Sequence, residues 1–175
     1  MKTLKRTETY RATPEEVFQC IDDLGVTGMH MTESSMPMMG GKLDLNFLTS
    51  NHTGIGSKYR WTGKVVGMTM DFTVEVTKWI KGKEKIWETI GVPKMIIYSW
   101  FRMNLAISTA SNSTQADLSI SYEKPKGWFN RLLSFLLADW YCNWCLRHML
   151  DDAKKALTSS EEKALPTLQH HGIKA

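Results

Sequence analysis

The sequence predicts an α+β domain in which a curved antiparallel sheet of about seven strands wraps around one long C-terminal helix, with one or two short helices after the first strand. Three observations predict it. Between residues 43 and 122 apolar side chains recur at every second position, in runs joined by short turn-forming sequences, as antiparallel strands with one buried face require. From residue 128 to about 157 the apolar spacing becomes helical and stays so. A proline-led helix start separates the first strand from the remainder.

Residues 3 to 11 alternate weakly and form the first strand. Thr13 then stands as N-cap, Pro14 at the first helical position, and Glu15 and Glu16 in the first turn; Val17, Phe18, Ile21 and Leu24 supply a buried stripe, so a helix covers 14 to 23. Gly25 and Gly28 punctuate the chain before a methionine-rich segment, 29 to 39, that forms a second short helix or a turn and ends at Gly40-Gly41.

Leu43, Leu45 and Phe47 alternate with Asp44 and Asn46; Tyr59, Trp61 and Val65 alternate with Lys58, Arg60 and Lys64. Met70, Phe72, Val74 and Val76 form the most regular one-sided strand. Asn51-His52-Thr53-Gly54 and Lys81-Gly82-Lys83-Glu84 are turns. A fifth strand near 85 to 91 is expected to break at Pro93. A sixth covers about 95 to 108, with Ser99, Phe101, Met103, Leu105 and Ile107 on one face. After the turn Ser111-Asn112-Ser113-Thr114, the last strand places Ala116, Leu118, Ile120 and Tyr122 together. In the long helix, Trp128, Phe129, Leu132, Leu133, Leu136, Leu137 and Trp140 point one way, whereas Cys142, Leu146, Met149, Leu150 and Ala153 point about 100° away, which implies a kink or a change of contact near Tyr141. One domain, residues 1 to 157, followed by a flexible tail, 158 to 175, is the expected organisation.

Composition narrows the function classes. The 22 Lys and Arg exceed 18 Asp and Glu by four, and they are dispersed through the first strand, the 78–85 hairpin and the helix end instead of forming a stripe, which argues against nucleic acid. No run approaches the ~18 apolar residues of a transmembrane segment. Three cysteines, an odd number, and an N-terminus without an apolar core fit a cytoplasmic protein, for which the sequons at Asn51 and Asn112 are chance matches.

The element order resembles that of the helix-grip superfamily, the START-like, polyketide cyclase/dehydrase proteins related to the major birch pollen allergen. Thr13-Pro14-Glu15-Glu16-Val17-Phe18 is similar to the opening of that superfamily's first helix, and Thr53-Gly54-Ile55-Gly56-Ser57-Lys58-Tyr59-Arg60-Trp61 resembles its glycine-containing hairpin. The likeness covers about residues 3 to 157. It implies a pocket between sheet and helix for lipids, polyketides or other apolar molecules, with enzymes a minority, and it carries over no catalytic residue. The physical reading agrees: a bent sheet cannot bury its concave face on itself, and a cavity remains wherever the closing helix stands off.

Several constellations carry chemistry worth weighing. Met29-His30-Met31 and Met36-Pro37-Met38-Met39 place five thioethers and an imidazole within eleven positions. Such soft ligands suit copper(I), but flexible methionines equally line or gate an adaptable apolar pocket, and that reading is preferred. Cys142-Asn143-Trp144-Cys145 with His148 lacks the second ligand pair of a zinc site and sits mid-helix, so the cysteines are structural, and no metal or cofactor is expected. Asp139, Asn143 and Arg147 form a row at helical spacing that either anchors a ligand or faces water. Glu88 and Arg102 are weak candidates for an acid/base pair, as is Asp139 for a carboxylate. Their facing depends on the 79–88 hairpin. With an odd-residue turn Trp79 pairs Trp87 outside and Glu88 points inward; with an even turn Trp87 enters the pocket.

The leading functional expectation is binding or transport of an apolar small molecule held by His30, Trp61, Phe72, Val74, Phe101, Met103, Leu105, Leu136 and Trp140. A cyclase or dehydratase acting on such a molecule is the second reading. The third is a peripheral membrane contact, or a partner contact such as a homodimer, through the broadly apolar stretch Leu132 to Tyr141.

Overall fold

The computed structural model describes residues 1–32, 41–65 and 68–169, and their side chains except at 29, 30, 129 and 160–169. The first strand, β1 (Lys2–Tyr10), leads into α1 (Pro14–Asp22) through the expected cap: the Thr13 side chain accepts the Glu16 N–H at 3.3 Å, and the Glu16 carboxylate accepts the Thr13 N–H at 2.8 Å. This reciprocal pair satisfies two of the helix's orphan donors. Asp23 ends α1 and at once caps α2 (Leu24–Thr27) by accepting the Gly25 N–H at 2.8 Å. Gly25 therefore lies within a helix, not at a break, because the aspartate fixes the turn one residue earlier. A further helical turn, α3 (Met29–Thr32), begins the methionine-rich segment; the remainder of that segment, Met36 to Met39 included, lies outside the described residues.

Six strands follow: β2 (Lys42–Phe47), β3 (Lys58–Val65), β4 (Met68–Ile80), β5 (Glu84–Lys94), β6 (Trp100–Ala110) and β7 (Ser113–Glu123). With β1 they make one seven-stranded antiparallel sheet of order β1-β7-β6-β5-β4-β3-β2. Sequential hairpins account for every neighbour except β1, which returns to pair β7.

The β4–β5 hairpin resolves the open register in an unforeseen way. Its turn is odd, Lys81-Gly82-Lys83 between the pair Ile80↔Glu84, and Gly82 takes φ 70°, which favours glycine. Carried on unchanged, that register would send Glu88 inward. A one-residue bulge at Thr77 shifts the pairing to Val76↔Trp87, so Trp87 is buried and Glu88 lies on the outer face. The same bulge turns Trp79 inward against α1, where its ring meets Phe18 edge-on at 5.5 Å.

Pro93 does not end β5. Pairing with β4 pauses after Thr73↔Ile90 and resumes at Asp71↔Lys94, and Gly91, Val92 and Pro93 bulge out between them. Gly91 has φ 72°, and Pro93 sits where no ladder bond is required of it.

The last element, α4 (Trp128–Gln169), runs past the expected end at 157. Its sheet-facing line is Ser134, Ala138, Cys142, Leu146 and Ala153, all essentially buried, and its first members are small. Small side chains let the helix approach the sheet closely, so the bulky early stripe expected in the core is turned away from it. Trp128, Leu132, Phe135, Leu136 and Trp140 are instead exposed. The two apolar directions thus mark a change of surroundings: one faces the sheet, the other does not.

Candidate functional site

β5 and β6 stop pairing after Glu88↔Arg102. At the next position the Thr89 hydroxyl takes over the ladder: it accepts the Phe101 N–H at 2.8 Å and donates to the Phe101 carbonyl at 3.0 Å. Beyond this point the strands part, and residues 95–99 cross the opening. Between that crossing, the start of β4 and the first turns of α4 lies a cavity of about 430 Å³. Val65, Met68 and Met70 line one side, Ile96, Ile97 and Tyr98 the second, and Leu133, Leu137, Trp140 and Tyr141 of α4 the third.

The lining is hydrocarbon apart from two thioethers, two phenols and the Trp140 indole. Tyr98 sits amid aromatic rings, with centroids 5.8 Å from Phe101, 5.9 Å from Tyr122 and 6.4 Å from Tyr141. Burial pushes the hydroxyls of Tyr98 and Tyr141 well above the ordinary tyrosine value, so both are neutral donors near pH 7. A larger recess of about 590 Å³ at the other end of α4 is lined largely by polar residues, among them Arg11, Asn112 and Lys154. Its lining is less apolar than that of the first cavity.

Of the residues expected to hold a ligand, Trp140 lines the cavity. Trp61, Phe72, Val74, Phe101, Met103 and Leu105 are buried, as their alternation requires, but they pack against one another and the helices and lie outside the lining. The interior between mid-sheet and α4 is filled by α1 residues Val17, Phe18 and Ile21, which displaces the cavity toward the start of α4. Trp61, for example, lies against Gly28, where an added Cβ would come within 3.0 Å of its ring. Leu136 is exposed and one position off the lining residue Leu137, a consequence of the rotated helix. The His30 side chain lies outside the described residues. The lining residues Ile96, Ile97 and Tyr98 escape sequence reasoning because they are assigned to a strand there, whereas they form a crossing segment.

The acid/base candidates are elsewhere. Glu88 and Arg102 are cross-strand partners on the outer face, joined at 2.8 and 2.9 Å. Asp139 accepts the Tyr122 hydroxyl at 2.5 Å and an ion pair from Lys2, tying α4 to the β1–β7 edge, and its pKa is held down first by Lys2 and then by Tyr122. Asn143 donates to the Asp139 backbone carbonyl at 2.9 Å, while Arg147 is exposed. Burial raises the thiols of Cys142 and Cys145, the latter to about 12, which suits packing and not thiolate chemistry. Among the described residues no group of three metal-ligating side chains converges, and no helix is long and apolar enough to cross a membrane.

A feature unforeseen in the sequence is a buried ion pair. Lys85 and Asp22 meet at 2.5 Å with side chains 4% and 6% exposed, Trp79 donates to Asp22 at 3.0 Å, and the Lys85 ammonium lies 4.9 Å from the Trp87 ring centre. Burial lowers the lysine's pKa and Asp22 opposes that shift. The cluster fastens α1 to the β4–β5 hairpin, and none of its residues lines the cavity.

No family model matches the sequence, and no curated protein is significantly similar to it. Solved structures with this fold are many. A Thermus thermophilus protein, TTHA0849, is similar over 91% of this chain and 99% of its own, with 14% identity and a TM-score of 0.68. Norcoclaurine synthase from Thalictrum flavum matches over 91% and 96%, with 10% identity and a TM-score of 0.65. The aromatase/cyclase Zhui from a Streptomyces species matches over 89% and 95%, with 12% identity and a TM-score of 0.63. At these identities the likeness is one of fold, and it extends over the sheet, the short helices and α4 together. The chain thus has the helix-grip fold.

Proposed function

We propose that the protein binds an apolar small molecule in the cavity between the 95–99 crossing and α4. The observation that carries this reading is the cavity itself: about 430 Å³, within the ~300–1,000 Å³ range of small-molecule pockets. Apolar side chains dominate its lining, and burial of ligand surface supplies affinity at about 25 cal/mol per Å². The neutral phenol of Tyr98 supplies direction, which favours a mainly hydrocarbon or aromatic ligand carrying a hydrogen-bonding group. Norcoclaurine synthase and the aromatase/cyclase are enzymes on the same architecture. Here the ionisable groups in the described lining are the phenols of Tyr98 and Tyr141, while Glu88, Arg102 and Asp139 are engaged outside it; this favours binding or carriage over general acid/base catalysis. Three cysteines free of disulfides suit a reducing compartment.

Titration with the neutral fluorophore N-phenyl-1-naphthylamine tests the reading. Saturable, blue-shifted enhancement is expected for the native chain, and Leu133→Trp, which fills the cavity from α4, should weaken it at least tenfold without lowering the melting temperature. Absence of saturable binding, or equal binding by Leu133→Trp, would sink the proposal.

A further inference from the structure

The early turns of α4 carry an exposed apolar face, of which Trp140 also lines the cavity. Trp128 is 81% exposed, Phe135 71%, Leu136 62%, Trp140 53% and Leu132 50%. These residues stand on the side of the helix opposite Ser134 and Ala138, so the first turns of α4 are apolar on both faces. Leaving so much aromatic and aliphatic surface in water is costly, and a contiguous patch of this kind marks a contact surface.

Charge identifies the occupant. From Lys124 to Ala138 the chain carries three cations, Lys124, Lys126 and Arg131, and no carboxylate. All three are exposed, and the Lys124 ammonium lies 5.2 Å from the centre of the Phe135 ring, beside the patch itself. Asp139, the carboxylate that follows, is already held by Lys2 and Tyr122. A second copy of the chain meeting this face about a two-fold axis would oppose the three cations to themselves. A surface that is anionic at the headgroups and apolar just beneath complements both features, with tryptophans at the headgroup level, where their amphipathic rings are favoured.

We infer that the N-terminal half of α4 is a docking face for an anionic phospholipid surface, with Trp128, Leu132, Phe135, Leu136 and Trp140 entering the headgroup boundary and Lys124, Lys126 and Arg131 contacting lipid phosphates. The cavity gives this face its use. Leu137 and Trp140 line the cavity and are themselves 42% and 53% exposed, as is Met68 at 37%, so the cavity wall is continuous with the docking face. Docking sets that wall against the bilayer, and an apolar ligand passes between the two without crossing water. This link rests on the apolar-ligand reading; the docking rests on the patch and its charges alone.

The test is flotation of the full chain with extruded vesicles of phosphatidylcholine, alone or with one-third phosphatidylglycerol. The chain is expected to float with the anionic vesicles, to be released by raised salt, and to float poorly with phosphatidylcholine alone. Phe135→Glu/Leu136→Glu should abolish flotation while leaving N-phenyl-1-naphthylamine binding and melting temperature intact, since neither residue lines the cavity. Replacing Lys124, Lys126 and Arg131 by Ser should each weaken vesicle binding about fivefold. Failure to float with either vesicle, or equal flotation with both, overturns the inference. So does light scattering that finds a concentration-dependent dimer broken by Phe135→Glu/Leu136→Glu without vesicle binding. If flotation succeeds but the fluorophore does not bind, the docking face stands and the ligand reading fails; the reverse result removes the docking face alone.

Discussion

Thr89 holds two strands together where their backbones have already parted. Its hydroxyl is the partner of both the Phe101 N–H and its carbonyl, in a buried setting where water cannot substitute. Thr89→Val keeps the shape and removes both bonds, leaving two buried backbone groups unmatched, and is expected to destabilise the fold by about 1–3 kcal/mol, whereas Thr89→Ser retains most of it. Chemical denaturation of the two variants checks this. Asp22→Asn is expected to cost more, about 3–5 kcal/mol, because it strands the Lys85 ammonium in a site it tolerates only beside a carboxylate; a loss below 1 kcal/mol would mean that the lysine escapes to solvent. Neither residue stands out in the sequence. A threonine in a strand and a lysine near a hairpin tip are ordinary, and their partners lie 12 and 63 positions away.

The β2–β3 edge shows why a strand can need a glycine. A Cβ at Gly63 would stand 2.2 Å from the Lys42 carbonyl and 3.1 Å from the Leu43 Cα, contacts that backbone atoms cannot relieve by rotating. Gly63→Ala should therefore lift β2 from its neighbour, costing about 1–3 kcal/mol, with faster amide exchange confined to Lys42–Phe47. Alternation within each strand was legible because neighbours in sequence face opposite sides of a sheet. The bulge at Thr77 was not, since one extra residue has no compositional mark. It alone reverses which of Trp87 and Glu88 is buried. In α4 the helical period was equally plain, yet the direction it faces was not: the small residues Ser134 and Ala138, and not the large ones, meet the sheet.

Ties between distant parts of the chain set the acid limit of the whole molecule. Lys154 of α4 holds Glu8 of β1 at 2.6 Å, Lys2 of β1 and Tyr122 of β7 hold Asp139 of α4 at the same edge, and Thr13 holds Glu16 at the start of α1. Each of these carboxyls has its pKa lowered, chiefly by the named partner. The unfolded chain then binds more protons than the folded one once the pH enters the ordinary carboxylate range. The stabilisation is complete above that range, at about pH 5, and is lost as pH falls through the depressed folded values, below about pH 4. The melting temperature is expected to be level in this respect from pH 7 to 5 and to fall below pH 4, with a shallower fall in Glu16→Gln.

What the sequence by itself determined is everything carried by contiguous residues: the seven alternating runs, the Thr13-Pro14 helix start, the turns between strands, and the order in which they follow, which together specify the helix-grip architecture. The tertiary structure alone decided where space was left. Packing is a sum over side chains far apart in the chain, so Val17, Phe18 and Ile21 fill the space between α4 and strands β6 and β7, Thr77 sets Trp87 inward, and the close approach of Ser134 and Ala138 turns Leu136 to the surface. The cavity beside Tyr98 and Leu137 is what remains, and no local pattern encodes a remainder.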